Sequence, residues 1–320
     1  MAKSRRLEEL QAQLNQIRDD PTSEAAIDLL QQVFKSKYPV AIAQAARIVR
    51  DAELRQLMPH LVATFDRFMQ KPETTDPNCL GKKAIADALY RLNYAEETPF
   101  LKGIRHVQME PVWGGRADTA PGLRAICALG LVRINYPDVM TELADLLADP
   151  ELEARIGAVR AIAYNETAQG VPLLRLRVKV GDEPNVLSEC FSALLKLAPT
   201  ASLPLVSHYL NTPEAQTREM AALALGESHL TEAFPILQNW WQHNPDAEIR
   251  QMALLAIAML RFDTAIEFLL ELVATGSRQD SQAAVEALQI YANDRALASQ
   301  IEERINQRKQ KFPDKDIHTI

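Results

Sequence analysis

The chain is poor in the residues that reverse a backbone or staple a small domain. Its 320 residues include only 11 glycines, which suits helices joined by short turns better than a sheet protein. The three cysteines, Cys79, Cys127 and Cys190, are odd in number and far apart. That excludes a disulfide framework or a cysteine metal set and points to small buried fillers in a reducing, cytoplasmic setting. No apolar run approaches the ~18 residues of a membrane span. The charged start, MAKSRRLEELQAQLNQ, does not read as a signal peptide. A basic excess is lacking too: the net charge is −7, so neither nucleic acid nor a membrane is the expected partner. HExxH, CxxC, GxSxG, P-loop and GxGxxG motifs are all missing, so no catalytic residue, metal or cofactor is expected and nothing calls for an enzyme.

What is present is a repeat. Ala88, Ala128, Ala161, Ala193, Ala224, Ala256 and Ala287 recur at spacings of 40, 33, 32, 31, 32 and 31. Twelve residues before the alanine stand Asp76, Asp149, Thr212 and Asn244, each followed by proline. Six before it stand Lys82, Arg155, Arg218 and Arg250, and eleven after it Pro99, Pro172, Pro204 and Pro235. Asp, Thr and Asn are good N-caps and proline fits the first helical position, so each cap–Pro starts one helix. The downstream proline starts a second. Small residues at the centre of the first helix let neighbours approach closely. Such a helix pair cannot bury its apolar face alone, and stacking buries it.

The unit resembles a HEAT repeat, close to the short version found in phycobilin-lyase-like proteins. The resemblance rests on Asp149–Pro150–Arg155, Asn244–Pro245–Arg250, Thr212–Pro213–Arg218 and Asp76–Pro77–Lys82, and it spans roughly residues 23–309. The repeats around Ala193 and Ala287 lack both cap–Pro and basic residue. The resemblance implies an all-α, right-handed α-solenoid of about seven to eight helix pairs, armadillo-like in character. The expected organisation is a charged capping helix over 1–20, a solenoid over 21–293, a capping helix over 294–311 and a flexible tail over 312–320. The di-iron hydroxylases built from HEAT repeats use His-Glu dipeptides, and none of the six histidines here precedes a glutamate. HEAT-like DNA glycosylases need a basic channel, and the run Arg175, Arg177, Lys179 reads instead as a solvated helix face.

Two surfaces stand out. The resemblance places the alanine-centred helices on a concave face. Its late row offers Leu255, Met259 and Ile290 to a peptide or protein, unless those side chains pack on the next layer. The spacing of 40 also leaves an insertion over 107–118, in HVQMEPVWGGRAD. Insertions of this kind map to loops on one face of a solenoid. The phrase resembles a segment of uncharacterised bacterial HEAT-repeat proteins. Gly114 and Gly115 permit a tight reversal, and Arg116 can stack on Trp113. Asp118 or Thr119 can cap the helix that restarts near Pro121. Trp113 is either a plug filling the enlarged gap or a recognition residue. His106 and Glu110, at helical spacing, suggest a salt-bridged surface pair. The Trp240–Trp241 pair suggests one core ring and one partly exposed.

The expected function is a non-enzymatic interaction scaffold that binds a protein or peptide on its concave face, on the Trp113–Gly114–Gly115–Arg116 loop, or on both. The alternative is a phycobilin lyase-like or chaperone-like factor acting on a bilin-carrying protein. That would need Arg91, Arg116, Arg124 and Glu110 to converge.

Overall fold

The computed structural model describes residues 2–312, so the tail expected over 312–320 lies outside the described residues beyond Phe312. The chain is an all-α solenoid of helix pairs with one small hairpin. It divides into two compact units at Leu173–Leu174.

The first unit contains α1 (Ala2–Gln16), α2 (Glu24–Lys35), α3 (Pro39–Asp51), α4 (Met58–Met69), the single turn α5 (Pro72–Thr75), α6 (Leu80–Arg91) and α7 (Thr98–Ile104). The strands β1 (Met109–Val112) and β2 (Gly115–Asp118) follow, then α8 (Pro121–Arg133), α9 (Val139–Leu147) and α10 (Leu152–Asn165). The division falls within α11 (Gly170–Val180). The second unit continues with α12 (Pro184–Leu197), α13 (Pro199–His208), α14 (Ala215–Glu227), α15 (Ala233–His243), α16 (Ala247–Met259), α17 (Asp263–Thr275), α18 (Arg278–Leu288) and α19 (Arg295–Lys311). First helices stack on first helices: α1 on α3, then α6, α8 and α10 in one unit, and α12, α14, α16 and α18 in the other.

The alanine column explains the stacking. All seven alanines are buried. Where a still closer approach is needed the residue is glycine: a Cβ on Gly157 would lie 2.6 Å from Ala125 Cα, and one on Gly226 would lie 2.6 Å from the Ala256 carbonyl oxygen. Most first helices end in a left-handed residue: Glu53, Asn93, Asn135, Glu166, His229 and Arg261 all have φ between 52° and 63°. At three of these ends the next amide reaches back to a carbonyl five residues earlier (Leu54 to Val49, Tyr94 to Leu89, Tyr136 to Leu131), each at 3.0 Å. That bond closes the helix and turns the chain toward its partner.

This device corrects the repeat register. The left-handed residue falls five after the column alanine at Asn93, Glu166, His229 and Arg261. In α8 it is Asn135, so the column residue there is Gly130, not Ala128. The corrected register places Asp118 twelve before the column and Arg124 six before it, which restores the cap and basic residue of that repeat.

The cap column also acts differently from the sequence expectation. The α-helices begin three or four residues after Asp76, Asp149, Thr212 and Asn244, so these residues do not sit at the N-cap position, though the Asp76 carboxylate still accepts the Gly81 and Lys82 amides of α6 at 2.7 and 2.9 Å. The basic residue instead reaches back to them or to their turn. Lys82 Nζ lies 3.1 Å from the Asp76 carboxylate and Arg124 Nη1 2.6 Å from that of Asp118. Arg155 donates to the Asp149 and Pro150 carbonyls, Arg218 to Thr212 and Arg250 to Trp241, all at 2.8–3.0 Å. Each pins the turn between helix pairs, and Arg155, Arg218 and Arg250 satisfy carbonyls that no helix can bond. The downstream prolines lie in the first turn of α7, α11 and α15, but Pro204 sits inside α13, which Pro199 has already started.

Candidate functional site

The insertion is not a loop but a β-hairpin. Val112 pairs with Gly115, Glu110 with Ala117 and Met109 with Asp118, and the Thr119 amide extends the ladder to the Gln108 carbonyl at 2.9 Å. Trp113 and Gly114 make the turn. Gly114 has φ +89°, which a Cβ would strain, and nothing surrounds either Gly114 or Gly115.

The alternation along β1 is inverted. Gln108 and Glu110 point inward and are buried, while Val107, Met109 and Pro111 face solvent, with Val112 and Trp113 exposed at the tip. In an ordinary half-buried strand the apolar set would face in. The inward polar row is fully used. Glu110 accepts the Asn78 amide at 2.8 and 2.9 Å, and Gln108 Nε2 donates to the Asp76 carbonyl at 2.9 Å and to Glu110. Asn78 and Cys79 are both left-handed, so the turn before α6 is shaped to present that amide. Asp118 accepts the Gln108 and Ala120 amides at 2.9 Å and pairs with Arg124, which also binds the His106 carbonyl and Asp149 at 2.9 Å. The Gln108 and Ala120 amides and the Arg124 guanidinium hold the Asp118 carboxyl below its usual range despite burial. Burial also holds His106 below the ordinary imidazole value. Gln108, Glu110 and Asp118 thus each have hydrogen-bond partners, which is what makes such a network rigid rather than costly.

Several sequence expectations change. Trp113 has a relative exposure of 102%, so it plugs nothing; the gap between repeats is filled by Gln108 and Glu110. Arg116 does not stack on the indole but pairs with Glu73 at 3.0 Å and with the Met109 carbonyl. His106 lies in the connection between α7 and β1 and Glu110 in β1, so the two are not on a helix, and His106 bonds Gln108 instead. Asp118 does hold the start of α8, through the Ala120 amide. Trp240 and Trp241 are both buried, with Arg250 over the Trp241 ring at 4.5 Å. Arg175 and Arg177 are engaged, at the Ala201 carbonyl and at Asp182. Burial pushes the thiols of Cys79 and Cys190 up to about 12 and that of Cys127 higher still, so none is a poised nucleophile.

On the other candidate surface, Leu255 and Met259 are half-buried and Ile290 is exposed. Gln251 Nε2 bonds Glu286 at 2.7 Å, which shows the α16 and α18 rows lying side by side. A pocket of about 310 Å³, lined by Ser192, Leu195, Lys196, Ala224, Glu227 and Ser228, opens between α12 and α14. Among the described residues no helix is long and apolar enough to cross a membrane.

Residues 202–289 match the family model of HEAT repeats. No curated protein matches the chain. Among solved structures, the complex of CpcE and CpcF of phycocyanin lyase from Nostoc sp. PCC7120 is 15% identical, with a TM-score of 0.36, covering 71% of this chain and 88% of that one. Human deoxyhypusine hydroxylase in complex with glycerol is 17% identical, with a TM-score of 0.31, covering 90% of this chain and 97% of that one. Residues 202–289 are thus matched as HEAT repeats, and the same buried small residues and pinned turns recur in the helix pairs outside that stretch.

Proposed function

We propose that the protein is a non-enzymatic scaffold that holds a protein or peptide partner, and that the hairpin is its recognition finger. One observation carries this reading: Trp113 stands wholly in water at the tip of a stem locked by buried hydrogen bonds. Leaving an indole exposed forfeits roughly 5 kcal/mol of burial, at ~25 cal/mol per Å² over ~200 Å². A rigid mount for an exposed Trp, flanked by Met109, Pro111 and Val112, is the anatomy of an interface hot spot. The row at Leu255, Met259 and Ile290 is a second candidate contact. Three of the four residues a bilin cradle would need are otherwise engaged: Arg124 with Asp118 and Asp149, Arg116 with Glu73, and Glu110 with Asn78.

Affinity capture from native lysate with wild type, Trp113→Ala and Ile290→Asp tests the reading. Loss of one specific partner with Trp113→Ala supports the finger, and loss with Ile290→Asp alone moves the contact to the late row. Identical partner sets for all three proteins contradict both.

A further inference from the structure

The corrected register exposes a charge pattern on the first-helix face of the first unit. The residues five before, one before and three after the column are Ala43, Arg47, Asp51 on α3; Lys83, Asp87, Arg91 on α6; Ala125, Leu129, Arg133 on α8; and Ile156, Arg160, Tyr164 on α10. None of these twelve is buried except Ala43. The face thus holds five cations and two carboxylates, with Lys83 already paired to Glu153 at 3.1 Å, in a protein whose net charge is −7. Both carboxylates are already taken by one arginine set beside the face: Arg50 lies 2.8 Å from Asp51 and 2.5 Å from Asp87.

The centre of the face is a cation–aromatic ladder. The Arg133 guanidinium lies over the Tyr90 ring at 3.9 Å, and Arg91 approaches the same ring at 5.7 Å. Arg133 Nη1 donates to the Tyr90 carbonyl at 2.8 Å and to Asn93 at 3.0 Å, which fixes the side chain. On its Nε–Nη2 edge, Nη2 lies 3.5 Å from the Tyr164 hydroxyl. That edge is the fork a carboxylate takes with two parallel hydrogen bonds. Among the described residues neither Arg47 nor Arg133 has a carboxylate within 4.0 Å, and Arg91 reaches Asp87 only at 3.9 Å.

We propose that this face docks an acidic, extended protein segment, with one carboxylate seated on the Nε–Nη2 edge of Arg133 and another near Arg91. The proposal rests on the scaffold reading above and names the chemistry of a partner. The spacing selects a polypeptide over a nucleic acid. Stacked helices set the cations ~9–10 Å apart, with Asp51 and Asp87 between them, and the side chains of a peptide can place separate carboxylates to match. A phosphate backbone carries its charge continuously and would meet those two carboxylates as well.

The test is fluorescence anisotropy at low salt with a fluorescein-labelled peptide of repeating Glu-Gly-Ser, whose carboxylates fall ~10 Å apart when extended. A neutral Gly-Ser peptide of equal length and a single-stranded oligonucleotide of equal charge serve as comparisons. Wild type is expected to prefer the glutamate peptide, and Arg91→Glu and Arg133→Gln each to weaken it about tenfold, the scale of one charge-assisted contact. Arg278→Glu on the second unit is expected to leave it unchanged, and because the readout is a peptide and not the captured partner, failure here is distinct from failure of the hairpin's role. Because Arg133 also holds the end of α6, circular dichroism melting accompanies each variant. If Arg133→Gln melts early, the exposed Arg91→Glu decides alone. Equal binding of the neutral peptide, tighter binding of the oligonucleotide, or unchanged affinity in Arg91→Glu overturns the proposal.

Discussion

Single residues set the tolerances of this solenoid. In an ordinary helix interior Gly→Ala stabilises by ~1 kcal/mol. Gly157 faces Ala125 so closely that an added methyl must push two helices apart, so Gly157→Ala is expected to destabilise by about 1–3 kcal/mol. Gly115→Ala, with nothing near it, is expected to be close to neutral. Urea midpoints compare the two, and a stabilised Gly157→Ala would contradict the packing described. The basic column gives a second contrast. Lys82 and Asp76 are both wholly buried, so Lys82→Met leaves a buried carboxylate without its cation, a loss of about 3 kcal/mol. Arg218 is half-buried and donates to a carbonyl, so Arg218→Met is expected to cost only ~1 kcal/mol. Equal losses at the two positions would mean that the buried pair adds nothing beyond its hydrogen bonds.

At the scale of elements, one clasp ties the hairpin directly to the turn before α6. Glu110 holds the Asn78 amide with both oxygens, in a turn where Asn78 and Cys79 are both left-handed. Glu110→Ala is expected to destabilise the protein by about 2 kcal/mol. It should also speed hydrogen exchange at the Asn78 and Thr119 amides, leaving amides in α14 and α16 protected. Unchanged exchange at Asn78 would show that the clasp does not hold the stem. The helix pairs were legible in the sequence because every repeat must solve the same packing problem with a small residue at the same place. The hairpin was not, since its buried residues are polar and its apolar ones face water, the reverse of the pattern that marks a strand. The Arg133 ladder was hidden by a two-residue error of register: Gly130 occupies the column where Ala128 was the nearest alanine. The exposure of Trp113 was equally out of reach, because Gly114 and Gly115 signal a reversal but not what fills the space behind it.

For the whole molecule, stacking supplies the stability while the functional candidates sit on surfaces that stacking does not need. The first unit carries the hairpin and the cationic face, and the second carries the matched HEAT repeats and the Leu255–Met259–Ile290 row. The central claim is that Trp113 belongs to a partner's interface and not to this protein's own core. Thermal melting of wild type against Trp113→Ala tests it most directly. A tryptophan packed between repeats would cost about 3–5 kcal/mol on truncation and lower the melting temperature by several degrees. A fully exposed one is expected to leave it unchanged within about 1 °C. Equal melting temperatures are the expected result, and a drop of several degrees would contradict the claim.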